Sequence, residues 1–128
     1  MDLPLNEIAE AARQAVAIAE QNDRFRTSWG TDPTVPGRFV MTQGVAALSL
    51  RAQALMVFAV RTFSDFTEDN DPHGWHDFGA FTVPEGGREV RLYWKIDLYD
   101  ADERFGSEVP EDPARTRRVL TLLLPDEW

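Results

Sequence analysis

A chain of 128 residues with 43% hydrophobic side chains and a net charge of −9 can bury one core, as a single domain over residues 1–128, and its composition excludes a disordered acidic tail. The lack of cysteine excludes a disulfide framework, a thiol nucleophile and any thiolate metal site. No apolar run reaches the roughly 18 residues of a membrane span, and Met1-Asp2-Leu3-Pro4 lacks the basic start of a leader peptide, so a cytoplasmic protein is expected.

In chain order, Asn6 to about Asn22 reads as an amphipathic helix. Leu5, Ile8, Ala12, Val16 and Ala19 recur at three-to-four spacing, with Glu10, Arg13, Gln14 and Glu20 on the other side. Asn6 suits a cap, and Asn22-Asp23 an end. The thin, alanine-rich stripe points to a cover over a sheet. Thr27 to Gly37 reads as loop from Gly30, Pro33 and Pro36, and Arg38 to Thr42 as a short strand. Gly44 to Gln53 suits a helix of two turns. Ala54 to Phe63, apolar almost throughout, reads as a buried central strand, with continuation of the helix as its rival.

Phe78 to Val83 and Glu89 to Tyr99 flank Pro84-Glu85-Gly86-Gly87 and read as a hairpin. In its second strand Val90, Leu92, Trp94, Ile96 and Leu98 alternate with polar or aromatic residues, which defines one core face. Periodicity assigns Trp94 and Phe58 to the core. Arg117 to Leu124 reads as a last strand stopped by Pro125. The expected class is α+β: an antiparallel sheet of four or five strands covered by the N-terminal helix and one short helix.

The charge is concentrated. Residues 64–77 hold Asp65, Glu68, Asp69, Asp71 and Asp77 with no base; residues 97–112 hold Asp97, Asp100, Asp102, Glu103, Glu108, Glu111 and Asp112 against Arg104. Together these thirty residues carry −11 and the rest of the chain +2, so the acidity belongs to two loops. Both loops leave strand ends on one side of the expected sheet and should form one acidic patch. Such a field repels nucleic acid and anionic lipid and attracts basic protein surfaces. Arg115, Arg117 and Arg118 are expected to pair with the second loop.

Three chemistries suit the patch. The first is metal binding by His73, His76, Asp71 and Asp77, with Asp69 beside them; no cofactor is otherwise implied. The His73-x-x-His76 spacing lies in a Pro/Gly loop, without the helical support of a metalloprotease site, and the calcium-loop pattern that starts at Asp69 fails at Ala80, where a bidentate Glu is needed. The second is acid–base catalysis by the same four residues. The third is recognition of a basic, nucleic-acid-handling protein through Glu68, Asp69, Asp71, Asp77, Asp100, Asp102, Glu103, Glu111 and Asp112, with Trp75, Trp29 or Trp128 as an aromatic anchor. Each competes with a plainer role: Asn70-Asp71-Pro72 and Asp112-Pro113 are turn formers, and the histidines suit hydrogen bonds to loop backbone.

Asn22-Asp23-Arg24-Phe25-Arg26, Thr42-Gln43-Gly44-Val45-Ala46-Ala47-Leu48, Phe66 to Gly74, His76-Asp77-Phe78-Gly79, Trp94 to Asp100 and Thr116 to Thr121 resemble a family of small alphaproteobacterial proteins of unknown function, often carried on plasmids and other mobile elements. The resemblance spans about residues 20–128. It implies no activity, but it gives weight to a mobile-element role such as interference with a host defence. The family pattern has Glu where this chain has Trp75, so a role resting on that carboxylate would be missing here.

Overall fold

The computed structural model describes residues 4–128; Met1–Leu3, part of the segment read for a leader, lie outside them. Helix α1 runs from Leu5 to Ser28, strand β1 from Gly37 to Met41, α2 from Gln43 to Ala46 and α3 from Leu50 to Thr62. Strands β2 (Phe78–Glu85), β3 (Arg88–Tyr99) and β4 (Arg117–Leu123) follow, and a 3-10 turn, Pro125–Glu127, ends the fold. The architecture is α+β, with four strands in the order β1-β4-β3-β2.

The sheet is mixed rather than antiparallel throughout, because β1 pairs with β4 in parallel, Gly37 opposite Arg118 and Met41 opposite Leu122. The other pairs are antiparallel. The β2–β3 hairpin turns at Gly86 and Gly87, whose φ values of 58° and 80° are those a two-residue hairpin turn requires and glycine adopts without strain. The alternation in β3 holds: Leu92, Trp94 and Ile96 are buried, joined by Leu120 and Leu122 of β4.

The apolar run at 54–63 is α3, not a central strand. Its buried residues, Ala52, Met56 and Val60, fall four apart while Ala54 and Phe58 between them are exposed; a strand would place all five on one face, and a helix separates them. Ser49 starts it, its Oγ accepting the Ala52 N–H at 3.1 Å. The same geometry turns Phe58 outward, 67% exposed, so its assignment to the core does not hold. The helical cover is therefore α1, α2 and a full-length α3.

Helix α1 does not stop at Asn22-Asp23. It continues to a left-handed cap at Trp29, φ 52°, because the side chains of Asn22 and Asp23 engage Trp75, Arg118, His76 and Arg26 and do not turn back on their own backbone. At the other end Asn6 lies inside the helix; Pro4 precedes it and no side chain caps it.

Candidate functional site

The first acidic loop is built by short polar side chains bonding to nearby backbone. Asn70 accepts the Thr67 N–H at 2.8 Å and donates to the Asp65 carbonyl. Asp71 is buried and its Oδ1 accepts the Trp75 and His76 N–H groups at 3.0 and 3.1 Å. These bonds hold His76 in a left-handed conformation, φ 53°, uncommon for a side chain with a Cβ.

That conformation directs the imidazole at α1. His76 Nδ1 lies 3.0 and 2.9 Å from the two carboxylate oxygens of Asp23, and its ring stacks on Phe66 with centroids 3.9 Å apart. Its Nε2 is 3.8 Å from Asp71 Oδ2. Asp23 also binds Arg26 at 2.8 Å. Thus His76 sits between two carboxylates, one shared with a buried arginine. Asp23 and Arg26 escaped the sequence reading of the site. They lie some fifty residues upstream, and the signals available were their i,i+3 spacing and their place in one of the segments that carry the family resemblance.

Of the other candidates, His73 is exposed, 5.8 Å from the Trp75 ring. Asp77 is half-buried, its carbonyl accepting the Ile96 N–H at 2.8 Å. Burial pushes the Asp77 carboxyl above its ordinary value of 3.8, the like charges of Asp71 and Asp97 act the same way, and His73 offsets part of it. A raised folded-state value means that the folded chain takes up this proton before the unfolded chain does. Its stabilising contribution is complete below 3.8 and lost as pH rises through the raised value. Asp77→Asn should therefore raise the urea midpoint at pH 7, with the gap to wild type closing as pH falls toward 3.8; an unchanged or lower midpoint at pH 7 would contradict this. Among the described residues no group of three or more His, Asp or Glu side chains is arranged to hold a metal ion.

The second loop uses its carboxylates in the same local way. Asp100 Oδ1 accepts the Asp102 and Arg104 N–H groups, and Asp112 Oδ1 that of Ala114. Ser107 and Thr116 share a 2.8 Å hydrogen bond across its base. Glu111 accepts from Gln14 at 3.0 Å, which holds its carboxyl below the usual glutamate value. Among the described residues the expected ion pairing of the loop with Arg115, Arg117 and Arg118 is not found. Arg117 donates to the Ala114 and Thr116 carbonyls, Arg118 is fully buried, and the base that reaches this loop is Arg38, 2.8 Å from Glu103.

Arg118 instead links the two loops. Its Nε donates to Asn22 Oδ1 at 2.8 Å and its Nη2 to Gln21 Oε1 at 2.9 Å. A guanidinium only donates, so both amides must turn their oxygens toward it and their NH₂ groups away. Asn22 then donates to the Trp75 carbonyl of the first loop at 2.9 Å, and Gln21 to the Glu111 carbonyl of the second at 2.7 Å. The two loops are thereby docked on one turn of α1. Within them Glu68, Asp69, Asp102 and Glu108 are exposed and enter no ion pair among the described residues. Of the aromatic candidates, Trp29 is half-buried on Phe39, Trp75 is half-buried, and Trp128 is 71% exposed.

These features define a small acidic α+β protein with two acidic loops docked on α1, the first of which sets His76 against Asp23. The chain belongs to the family DUF3768, proteins of unknown function, whose pattern matches residues 41–127. That segment holds both loops, α2, α3 and β2 to β4; α1, with Asp23 and Arg26, lies outside it. Comparison with curated proteins and with solved structures gives no match. Among the described residues no helix is long and apolar enough to cross a membrane.

Proposed function

We propose that this is an interaction protein that binds a basic surface of a nucleic-acid-handling protein through the loops at 64–77 and 100–113. The most specific form of this reading is an anti-defence factor of a mobile element. The observation that carries it is the division of labour among the carboxylates. Asp71, Asp100 and Asp112 spend their oxygens on loop backbone, which holds the loops and leaves Glu68, Asp69, Asp102 and Glu108 exposed and, among the described residues, outside every ion pair. Fixed, unpaired charges of one sign lose little freedom on meeting a basic surface and speed the encounter. The same field disfavours nucleic acid as a direct ligand.

The test is a pull-down from nuclease-treated host lysate at rising salt, with the bound protein then titrated against variants. Reversing Glu68, Asp69, Asp102 and Glu108 to Lys is expected to weaken binding by at least about a hundredfold and flatten its salt dependence. Binding and salt dependence that survive the reversal would remove the proposal.

A second reading, acid–base catalysis, draws on the Asp23–His76 pair. A carboxylate on Nδ1 orients the ring and leaves Nε2 for proton transfer, the arrangement common to histidine bases. Here, however, Asp71 occupies the neighbourhood of Nε2 at 3.8 Å. The pair also has a purely structural use, holding the first loop to α1. A substrate turned over by the wild type and not by His76→Asn would favour catalysis; equal turnover in both would dismiss it.

A further inference from the structure

We propose that the protein forms a two-fold dimer in which the projecting half of α1 from each protomer lies along the outer face of α3 of the other. Every residue of α1 from Leu5 to Arg13 is exposed, and the helix first meets the body at Gln14, which bonds Glu111. The apolar stripe that suggested a sheet cover is thus largely uncovered: Leu5 is 84% exposed, Ile8 49% and Val16 58%, with Ala12 between them. A stripe at i, i+3, i+7 and i+11 is the pattern by which an amphipathic helix enters a groove.

The same chain carries a matching groove. Helix α3 buries Ala52, Met56 and Val60 and turns Leu50, Ala54 and Phe58 outward, Leu50 and Phe58 at 83% and 67% exposure. Around Ala54, Val57 and Phe58 lies a hollow of 450 Å³, closed by Thr27, Arg61 and Thr62. The lengths agree: Leu5 to Val16 and Leu50 to Thr62 each extend about 18–20 Å at the helical rise.

The charges agree as well. Helix α3 has Arg51 and Arg61 and no acid, in a chain of net charge −9, whereas the projecting α1 segment from Leu5 to Val16 carries Glu7 and Glu10 against Arg13, which pairs with Glu10. A second copy is the favoured occupant because both halves of the joint, matched in length and opposite in charge, belong to one chain. A two-fold axis closes the two joints together and leaves no face open for further growth. The dimer does not depend on the acidic loops, so its failure and theirs are separable.

Sedimentation of the full chain across about 1–100 μM should show a dimer. Ile8→Asp, which spoils the arm, and Phe58→Asp, which spoils the groove, should each weaken it at least about tenfold. An equimolar mixture of the two variants should recover a dimer, since one joint then pairs an intact arm with an intact groove. Ile8→Ser and Phe58→Ser repeat the test where aspartate disturbs the helix. A monomeric wild type, a dimer that both variants retain, or variants that stay monomeric when mixed would each overturn the proposal; the last would mean that like helices pair.

Discussion

Arg118→Ala is expected to lower the unfolding free energy by about 3–5 kcal/mol and, in the same molecule, to loosen both acidic loops. The cost has two sources. A large, fully buried side chain on β4 leaves a void, and the oxygens of Gln21 and Asn22 lose their donors; each unpaired buried acceptor costs about 1–3 kcal/mol. Working against this is the desolvation of the guanidinium, which among the described residues has no carboxylate partner and leaves Nη1 unpaired. Burial, with help from Arg24, pushes it down to about 10. It remains charged at pH 7, and the stability withheld by that burial returns only as pH rises through 10 toward the ordinary arginine value. Guanidinium-chloride unfolding gives the first quantity, and hydrogen exchange at the Trp75, His76 and Asp112 amides the second. Combining Arg118→Met with Gln21→Leu and Asn22→Leu should recover much of the stability, since an apolar set replaces a polar one, without restoring loop protection. A loss under 1 kcal/mol, or loop amides that exchange as in wild type, would show that Arg118 does not organise the loops.

Arg26→Ala should cost a similar amount, about 3–5 kcal/mol, by a different route. Arg26 is 2% exposed and donates through Nη1 to the Val60 and Phe63 carbonyls at 2.6 and 3.0 Å. They lie at the end of α3, where the Val60 carbonyl has the Phe63 N–H at 3.4 Å as its backbone partner, and a cation there also complements the negative end of the helix dipole. Its guanidinium lies 5.5 and 5.2 Å from the Phe66 and Trp94 ring centres, and its other arm binds Asp23. Arg26→Lys keeps the charge but loses the fork and the planar stack, so it should recover less than half of the loss. Thermal unfolding of the pair, beside Asp23→Asn, separates the terms. Equal stability of Arg26→Lys and wild type would mean that charge alone matters.

The parts of this fold that could be read from sequence are those where one periodicity had no rival. β3 alternates over eleven residues, and the Gly86-Gly87 turn admits one hairpin. The run at 54–63 was ambiguous because every position is tolerable in either state; the deciding signal, Ser49 as a cap three residues before Ala52, is local and weak. Phe58, assigned to the core with that run, is turned outward by the helix. Arg118 was misplaced for another reason. Its charge suggested the surface, yet it stands two residues before Leu120 and four before Leu122, on the strand face that those two leucines bury. In the candidate site both loops and the bonding of Asp71 and Asp112 to nearby backbone were visible, since Asx-type bonding is a short-range property. The partners of His76 were not, because helix and loop meet only through the tertiary fold.

The strand order has a consequence in time. β4, the last strand made, lies between β3 and β1, so during synthesis β1 waits with an unpaired edge while more than seventy further residues are added, and that long closure is a slow step. Because Arg118 stands on β4, the two amides that dock the acidic loops receive their orientation only at that closure. Both loops are synthesised earlier but reach their bonded places last. A growing or truncated chain therefore carries the acidic residues without their arrangement, as a diffuse charge instead of a surface.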